Sequence, residues 1–269
     1  MNFRLQNKVV LITGVNNPQG IGAATAVAFA REGAKLALVY KKIPHEYNES
    51  RAACNSFDRY FKSNSGDAAA VVEQLCLLGV DYFVLERDIA DEQCVKEIFN
   101  CAIGRFGKVD ILVNNAAVCD AGGSDTIETL TQSVIDNTFA VNVRGTLLMT
   151  REFVKRRGDY GRIINLSTDA AQSFAGQITY GASKAAIEAL TRSIAMEVGQ
   201  YGITVNCVAP GPTQTGYIDE ELTKACLPQI PLGRLIQPQD IADTILFLAS
   251  EQAAMLTGQI IKVSGGHAL

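Results

Sequence analysis

Short apolar runs alternate with longer stretches of helical periodicity along the whole chain. The runs are apolar at consecutive positions rather than at every second one, which is typical of strands covered on both faces of a parallel sheet. No linker or repeat divides the chain, so we predict one α/β domain over residues 1–269. The predicted fold is a Rossmann-like, doubly wound parallel sheet of about seven strands with helices on both faces. The predicted strands are residues 9–12, 36–40, 82–86, 111–114, 162–166, 204–208 and 259–263.

Glycines cluster where the first predicted strand meets the first helix. The strand ends in Thr13-Gly14, and Gly20-Ile21-Gly22 opens an alanine-rich helix. Glycines at such a junction let the backbone turn tightly and approach a pyrophosphate, which then sits on free N–H groups at the helix N-terminus. The position predicts a dinucleotide site, and an ordinary glycine-rich loop is the alternative.

The end of the second strand bears on which dinucleotide binds. Proteins that favour NAD usually carry an acid there to bond the ribose hydroxyls. Here the strand ends in Tyr40 and is followed by Lys41 and Lys42, so two cations stand where a 2′-phosphate would lie. The sequence therefore favours NADP(H) over NAD(H), and the alternative is that both lysines point into solvent.

The connection formed by residues 43–66 is unusually long. It is polar, but Phe57, Tyr60 and Phe61 fall at helical spacing, so a short packed helix is predicted within it. Because the connection follows the second strand, we expect it near the adenine end of the cofactor. A surface embellishment or a subunit contact is favoured as its role over a substrate lid.

Tyr180 and Lys184 form the strongest candidate for chemistry. If residues 178–199 are helical, the spacing of four places both side chains one turn apart on the same face. A nearby ammonium favours the phenolate and would lower the pKa of the phenol from its usual value of about 10. The pair suits a general acid/base, and a surface tyrosine beside a solvated lysine is the alternative.

Composition and charge exclude several other classes of function. The net charge is −4 and the longest basic run is the triplet Lys155-Arg156-Arg157, which argues against nucleic acid and anionic membranes. No apolar stretch approaches the ~20 residues that span a bilayer. Seven cysteines without a C-x-x-C pair indicate reduced thiols, so we predict a soluble, cytoplasmic protein. With only His45 and His267 available, we expect no metal site.

The motifs occur in one characteristic order: Gly14/Gly20/Gly22, Asn114-Asn-Ala-Ala, Asn142, Ser167-Thr168, Tyr180-x-x-x-Lys184 and Pro210-Gly211. With this set the chain resembles the short-chain dehydrogenase/reductase family, and within it the branch similar to 3-oxoacyl-carrier-protein reductases. The resemblance covers the chain apart from the 43–66 insertion. It implies hydride transfer between a nicotinamide and the carbonyl or secondary alcohol of a small-molecule substrate.

The resemblance implies a role for each catalytic candidate. Tyr180 would pass a proton to the substrate carbonyl, while Lys184 would lower the pKa of Tyr180 and bond the nicotinamide ribose. Asn142 matches the asparagine that holds a water in a proton relay towards the lysine. A hydroxyl at the end of the fifth strand, from Ser167 or Thr168, would polarise the substrate oxygen.

The resemblance also implies a set of cofactor contacts. Asp88 and Ile89 would contact adenine, Asn114 the ribose, and Thr213 and Thr215 the carboxamide and phosphates. The complete predicted set is Gly14, Asn16, Gly20, Ile21, Gly22, Tyr40, Lys41, Lys42, Asp88, Ile89, Asn114, Ala116, Tyr180, Lys184, Pro210, Gly211, Thr213 and Thr215.

On the substrate side, residues 213–230 resemble the mobile lid of the family. Phe174, Gln177 and Tyr217 are candidates to line the substrate pocket, and plain packing is the alternative for each. The helix around Tyr180 carries apolar residues widely around its circumference and therefore needs more than one packing partner. In the family this helix packs between subunits, which implies a homotetramer, with a dimer as the alternative.

Departures from the family pattern leave two points open. Five residues, 15–19, separate the first two glycines where three are usual, so phosphate contacts in that loop are open, and Ala117 stands where a glycine is usual. Counting back thirteen residues from Tyr180 gives Ser167 as the catalytic hydroxyl, whereas aligning the strand gives Thr168. Strand register is set by hydrogen bonds and loops vary in length, which favours Thr168.

Two other functions compete with a carbonyl reductase. The lengthened glycine loop suggests an enoyl-thioester reductase, but that branch typically separates its tyrosine and lysine by six residues rather than three. The other alternative is a non-catalytic nucleotide-binding protein of the same fold. Such proteins commonly lose the Tyr/Lys pair, which is intact here as Tyr180 and Lys184.

Overall fold

The computed structural model describes residues 3–44, 48–50, 52, 56–119 and 125–268. Its centre is a seven-stranded parallel sheet in the order β3-β2-β1-β4-β5-β6-β7. All seven predicted strands are present, most of them with ends one or two residues from those predicted. The strands are β1 Val9–Thr13, β2 Lys35–Tyr40, β3 Tyr82–Glu86, β4 Ile111–Asn114, β5 Gly161–Leu166, β6 Ile203–Pro210 and β7 Ile260–Val263.

Helices cover both faces of the sheet, as the apolar character of the strands predicts. A six-residue π-helical stretch, Ala140–Gly145, joins α5 to α6 without a break. The α-helices are α1 Ile21–Arg31, α2 Ser56–Ser65, α3 Ala69–Leu78, α4 Glu92–Phe106, α5 Gln132–Phe139, α6 Thr146–Lys155, α7 Ile178–Val198, α8 Glu220–Cys226 and α9 Pro238–Ala249.

The central strand β1 explains why both faces are covered. Val10 and Ile12 belong to the core shared with α1 and α9, whereas Val9 and Leu11 belong to the opposite core with α4, α6 and α7. All four side chains are at most 1% exposed. Burying each of them stabilises the fold by roughly 1.5–3 kcal/mol, so a consecutive apolar run favours a strand with two covered faces.

The strand order reverses beside β1, which lies between β2 and β4. From this point the chain builds outwards through β2 and β3 on one side and through β4 to β7 on the other. Loops at the carboxyl ends of strands that diverge in this way leave a crevice, where open α/β sheets bind their ligands.

The 43–66 insertion contains the predicted helix, α2. Residues 45–47, 51 and 53–55 lie outside the described residues, and His45 and Cys54 fall among them. The side chain of Phe57 is also outside the described set. Among the described residues, none of the helices combines the length and apolar character that crossing a membrane requires.

Candidate active site

A cleft of about 290 Å³ lies at the carboxyl ends of β1, β2 and β4, where the strand order reverses. Much of the predicted cofactor set lines it. The lining members of that set are Gly14, Asn16, Gly20, Ile21, Tyr40, Lys41, Lys42, Asp88, Ile89, Ala116, Tyr180 and Thr215.

At the floor of the cleft, Gly14 and Gly22 occupy positions with no room for a side chain. Gly14 has a φ of +75°, and a Cβ added there would lie 2.7 Å from the Cα of Ala116. A Cβ on Gly22 would lie only 2.3 Å from the carbonyl oxygen of Gly14. Larger residues therefore cannot occupy either position without moving the backbone. Gly22 does not line the cleft itself but lies directly against Gly14, which does.

The N-terminus of α1 faces this floor and fits a pyrophosphate. Gly20 is the N-cap residue and offers no side-chain hydrogen bond to the first turn. The first N–H groups of Ile21 and the residues after it are therefore available to an anion, and the helix dipole favours negative charge there. The residues present match what a dinucleotide needs at this position.

The lengthened glycine loop uses its side chains to bind other parts of the protein. Asn16 Nδ2 donates to the carbonyl oxygens of Asn64 (2.9 Å) and Gly66 (3.2 Å), which belong to the insertion. Asn17 Nδ2 donates to the carbonyl oxygen of Thr215 at 3.0 Å. Two asparagines of the lengthened loop thus provide amides that link three segments around the cleft.

Cations and carboxylates alternate at the far end of the cleft. Lys41 Nζ lies 2.6 Å from a carboxylate oxygen of Asp88, and Lys42 Nζ lies 3.6 Å from Glu86. Arg87 also lines the cleft. These ion pairs are partly exposed, so each contributes little to stability and leaves the lysines available to a ligand. Both lysines are exposed and both line the cleft, so their contact with a cofactor remains a prediction.

Tyr180 and Lys184 lie one turn apart on α7, as their spacing predicts. Lys184 Nζ is 5.5 Å from the centroid of the Tyr180 ring and donates to the carbonyl oxygen of Leu166 at 2.8 Å. Burial lowers the pKa of Lys184 to about 8. Tyr180 lines the cleft, whereas Lys184 is 4% exposed and lies behind it.

The expected lowering of the Tyr180 pKa by Lys184 is not found. Burial raises the pKa of the Tyr180 phenol well above its ordinary value, and the neighbouring Cys119, Tyr60 and Tyr217 raise it further. Helical spacing predicts the proximity of the two side chains but not the desolvation around them. Because desolvation disfavours the charged form of both groups, it opposes the phenolate.

The start of α7 is held by a residue from a distant loop. Asp125 is fully buried, and its carboxylate accepts hydrogen bonds from the backbone N–H groups of Thr179 (2.8 Å) and Tyr180 (3.1 Å). Its carbonyl oxygen also accepts from the N–H of Ile178. An acid at a helix N-terminus is favourable. Asp125 therefore positions the turn that carries Tyr180, and no sequence signal near Tyr180 indicates this.

Asn142 is 1% exposed and lies in the π-helical stretch between α5 and α6. Its amide accepts from Val118 N (2.8 Å) and donates to Val118 O (2.9 Å) and to Ser183 Oγ (2.9 Å). Ser183 Oγ in turn donates to the carbonyl oxygen of Tyr180 at 2.7 Å. The Asn142 side chain thus ties the segment after β4 to the helix that carries the catalytic candidates.

Ser167 and Thr168 differ in their surroundings. Ser167 Oγ donates to a Glu188 carboxylate oxygen at 2.9 Å, and its side chain is buried. The N–H groups of Ser167 and Asp169 both bond to β6, so pairing continues past the end of β5. Side chains alternate along extended backbone, so we expect the Thr168 side chain on the other side of the segment from Glu188. Neither residue lines the cleft, and the choice of Thr168 as the catalytic hydroxyl remains a prediction.

Several predicted cofactor residues do not line the cleft. The Asn114 side chain donates to Asn165 Oδ1 (2.9 Å) and Thr150 Oγ1 (3.2 Å) inside the sheet, so its amide faces the core and not a ribose. Asn115 lines the cleft in its place. The others are Gly22, Lys184, Pro210, Gly211 and Thr213. Gly211 packs against Asp169 and Ser264, and the Thr213 hydroxyl donates to the carbonyl oxygen of Gly211.

Two of the three substrate candidates make ring contacts, and the third stands at the start of α7. The Phe174 ring meets the Tyr180 ring edge-on, with centroids 5.8 Å apart. Gln177 is the N-cap residue of α7. The Tyr217 ring meets the Tyr60 ring at the same separation, 5.8 Å. None of the three candidates lines the cleft itself, so their predicted contact with substrate remains a prediction.

The insertion lies closer to Tyr180 than the sequence indicated. Tyr60, on α2, lines the same cleft as Tyr180 and interacts electrostatically with it. The insertion is therefore not confined to the adenine end, because its helix folds back over the glycine loop. Cleft residues that sequence reasoning missed are Asn17, Val39, Ile43, Pro44, Tyr60, Asn64, Arg87, Asn115, Ala117, Val118, Cys119, Asn137 and Val141. Only Asn17, Asn115 and Ala117 lie in motifs that could have indicated them.

The fold and the cleft define a dinucleotide-binding protein of the oxidoreductase class. A glycine floor, a helix N-terminus and a tyrosine beside a lysine meet where a parallel sheet reverses its strand order. Within the described ranges, no cluster of His, Cys, Asp and Glu side chains could hold a metal ion.

Comparison with known proteins identifies the family. A family model described as Enoyl-(Acyl carrier protein) reductase matches residues 59–268. The chain is 36% identical over 98% of its length, and 98% of the relative's, to (2S)-[(R)-hydroxy(phenyl)methyl]succinyl-CoA dehydrogenase subunit BbsD of Thauera aromatica. It is 34% identical to 3-oxoacyl-[acyl-carrier-protein] reductase FabG of Staphylococcus aureus, over 96% of this chain and 97% of the relative.

A solved structure agrees with these relatives. A short-chain dehydrogenase/reductase from Serratia marcescens has a TM-score of 0.82 and 30% sequence identity, covering 98% of this chain and 99% of that one. The chain belongs to the short-chain dehydrogenase/reductase family, in a branch similar to FabG. It is an NAD(P)-dependent oxidoreductase.

Proposed function

We propose that the protein transfers hydride between NADP(H) and a carbonyl or secondary alcohol, with Tyr180 as the general acid/base. The observation that carries this proposal is the pair on α7. Tyr180 lines the cleft, and Lys184 lies behind it with Nζ 5.5 Å from the ring centroid. Both are held at the carboxyl edge of the sheet, where the cofactor of such a fold binds.

The residues that would hold the cofactor follow from the cleft. Gly14, Gly20 and Ile21 would place the pyrophosphate on the N-terminus of α1. Asp88 and Ile89 would contact the adenine. When bound, the nicotinamide supplies the hydride or accepts it.

The state of Tyr180 suits it to act as a general acid. Because burial raises the pKa of its phenol, Tyr180 keeps its proton at neutral pH. It can therefore donate this proton to a carbonyl oxygen that gains negative charge, and it takes the proton back in the reverse reaction. The hydroxyl of Thr168 would stabilise the same oxygen as a second donor.

Lys184 would support Tyr180 by charge and by position. Its ammonium donates to the carbonyl oxygen of Leu166 at the end of β5, which fixes its direction. Although burial lowers its pKa to about 8, the group remains mostly charged at neutral pH. A charge in this place stabilises the phenolate that remains when Tyr180 gives up its proton.

Asn142 would align α7 through Ser183 and need not touch the substrate.

NADP(H) is proposed over NAD(H) because of the charges at the far end of the cleft. Lys41, Lys42 and Arg87 line that end, and the second strand ends in Tyr40 rather than in an acid. The ion pairs of Lys41 with Asp88 and of Lys42 with Glu86 weaken this preference. They do not cancel it, because exposed pairs exchange easily for a phosphate with two charges.

An acyl thioester with a 3-oxo group, or a related ketone, is the proposed substrate class. The names of two relatives describe thioesters of coenzyme A and of acyl carrier protein. A second candidate function is an enoyl-thioester reductase, which the description of the family model and the lengthened glycine loop favour. The three residues between Tyr180 and Lys184 favour the first.

We propose that the protein assembles as a homotetramer, with a dimer as the alternative. On α7, Ile178 and Met196 are exposed although they are apolar. Ile135, Phe139 and Leu147 form a second exposed apolar surface along α5 and α6. Faces of this kind are buried most simply by another copy of the chain.

We further propose a cytoplasmic location, since the described cysteines are free thiols.

The function is tested by replacing the tyrosine. Tyr180→Phe keeps the ring and its contact with Phe174 but removes the proton, so turnover of a 3-oxo thioester should fall at least ~100-fold. The dissociation constant for NADPH should stay within about twofold, and Tyr201→Phe, far from the cleft, should behave as wild type. Near-normal turnover by Tyr180→Phe would reject the role, and preferential turnover of an enoyl thioester would establish the second candidate.

A further inference from the structure

The insertion helix α2 is fastened over the cleft at both of its edges. On one side, Asn16 of the glycine loop donates to the carbonyl oxygens of Asn64 and Gly66. On the other side, Arg59 Nε donates at 3.3 Å to the carbonyl oxygen of Gly216, within the expected lid of residues 213–230. These bonds join the insertion, the glycine loop and the lid into one wall.

Tyr60 is the residue that this wall presents to the cleft. Its ring packs edge-on against Tyr217 of the lid, and the packing limits the directions that its hydroxyl can take. The hydroxyl interacts with the Cys119 thiol and with the side chain of Asn64. Tyr60 and Tyr180 line the same cleft from different sides.

The surroundings keep the phenols of Tyr60 and of its ring partner Tyr217 protonated. The thiol of Cys119 and burial raise the pKa of Tyr60, and burial raises the pKa of Tyr217 to about 12. A neutral phenol in a desolvated cleft is a strong hydrogen-bond donor. The cleft therefore holds one donor for the reacting oxygen, Tyr180, and a second phenol, Tyr60, whose hydroxyl has the Cys119 thiol as a partner when no substrate is bound.

We propose that Tyr60 is a specificity-determining residue, and that its hydroxyl donates a hydrogen bond to a second oxygen of the substrate while Tyr180 serves the reacting carbonyl. The substrate class is a ketone with an ester or thioester carbonyl nearby, as in a 3-oxoacyl compound. This inference rests on the proposed function, which it deepens by assigning recognition of the second oxygen to the insertion. Sulfur is a weaker acceptor than a carbonyl oxygen, so a substrate that offers the second oxygen gives the Tyr60 hydroxyl a better partner than Cys119 and binds more tightly than one that lacks it.

The test compares two ketones of equal chain length, ethyl 3-oxobutanoate and 2-heptanone, which differ in the ester group. For Tyr60→Phe, the ratio of kcat/KM for the oxoester to kcat/KM for the plain ketone should fall roughly tenfold, the usual cost of one well-placed hydrogen bond. The matched control Tyr201→Phe should leave the ratio unchanged. A Tyr60→Phe ratio equal to that of wild type overturns the inference.

A second measurement is independent of turnover. If Tyr60 covers Cys119, Tyr60→Ala should raise the rate at which iodoacetamide alkylates Cys119 by roughly fivefold, as followed by peptide mass spectrometry. Tyr201→Ala is the control. An unchanged alkylation rate overturns the placement of Tyr60. If the wild type reduces neither ketone but alkylation accelerates, the proposed function fails while the position of Tyr60 is supported.

Discussion

The Ser167 hydroxyl donates a 2.9 Å hydrogen bond to the Glu188 carboxylate, and both side chains are buried. This bond joins the end of β5 to α7 one turn beyond Lys184. It uses the one proton that Ser167 could offer a substrate oxygen. We therefore expect the two hydroxyls at the end of β5 to have different roles, that of Ser167 in structure and that of Thr168 in chemistry.

A matched pair of variants separates these roles. Ser167→Ala leaves the Glu188 carboxylate short of a donor and should lower the free energy of unfolding by about 2 kcal/mol, with a small effect on turnover per folded molecule. Thr168→Val keeps the shape, removes the hydroxyl, and should lower kcat by roughly 100-fold with little change in stability. Urea denaturation and steady-state kinetics give both quantities. The reverse pattern would identify Ser167 as the catalytic hydroxyl.

The rate of ketone reduction should depend on pH through Lys184. Burial lowers the pKa of Lys184 to about 8, so the ammonium is present below that pH and is lost as the pH rises through it. Because the charge stabilises the phenolate of Tyr180, kcat/KM should be constant up to about pH 7 and fall above about pH 8. Tyr180 does not titrate there, since its pKa is raised. A profile that stays flat through about pH 9 would contradict the role of the charge.

The lysines after β2 should control the choice of cofactor. Lys41→Ala combined with Lys42→Ala removes two cations from the cleft and should raise the dissociation constant for NADPH about tenfold, with NADH within about twofold. Fluorescence titration at low and high salt measures both constants, and the effect should shrink as salt screens the charges. Lys35→Ala, at the opposite end of β2, is the control. Equal weakening of both cofactors, or tighter binding of NADH by the wild type, would rule out the preference.

Two glycine variants test the floor of the cleft. A Cβ on Gly22 would lie 2.3 Å from the carbonyl oxygen of Gly14, so Gly22→Ala should lower the free energy of unfolding by roughly 2–3 kcal/mol. Gly104 lies in α4 with open space around it, so Gly104→Ala should raise that free energy by about 0.5–1 kcal/mol. Urea denaturation compares the two. Equal urea midpoints for Gly22→Ala and wild type would contradict this prediction, because the backbone around Gly14 would then shift at no cost in stability.

The sequence by itself determined the fold and the catalytic pair. Runs of consecutive apolar residues predicted all seven strands, because each run must bury alternate side chains on two faces. The proximity of Tyr180 and Lys184 also followed from the sequence, since a helix places residues four apart on one face. Both inferences rest on local geometry.

Only the tertiary structure decided how the side chains are used. The cap that Asp125 places on α7, the bond between Ser167 and Glu188 and the reach of Tyr60 into the cleft join residues far apart in the chain. Such contacts leave no periodic signal in the sequence. The raised pKa of Tyr180 was also beyond sequence reasoning, because desolvation depends on every atom packed around a group and not on its nearest charged neighbour.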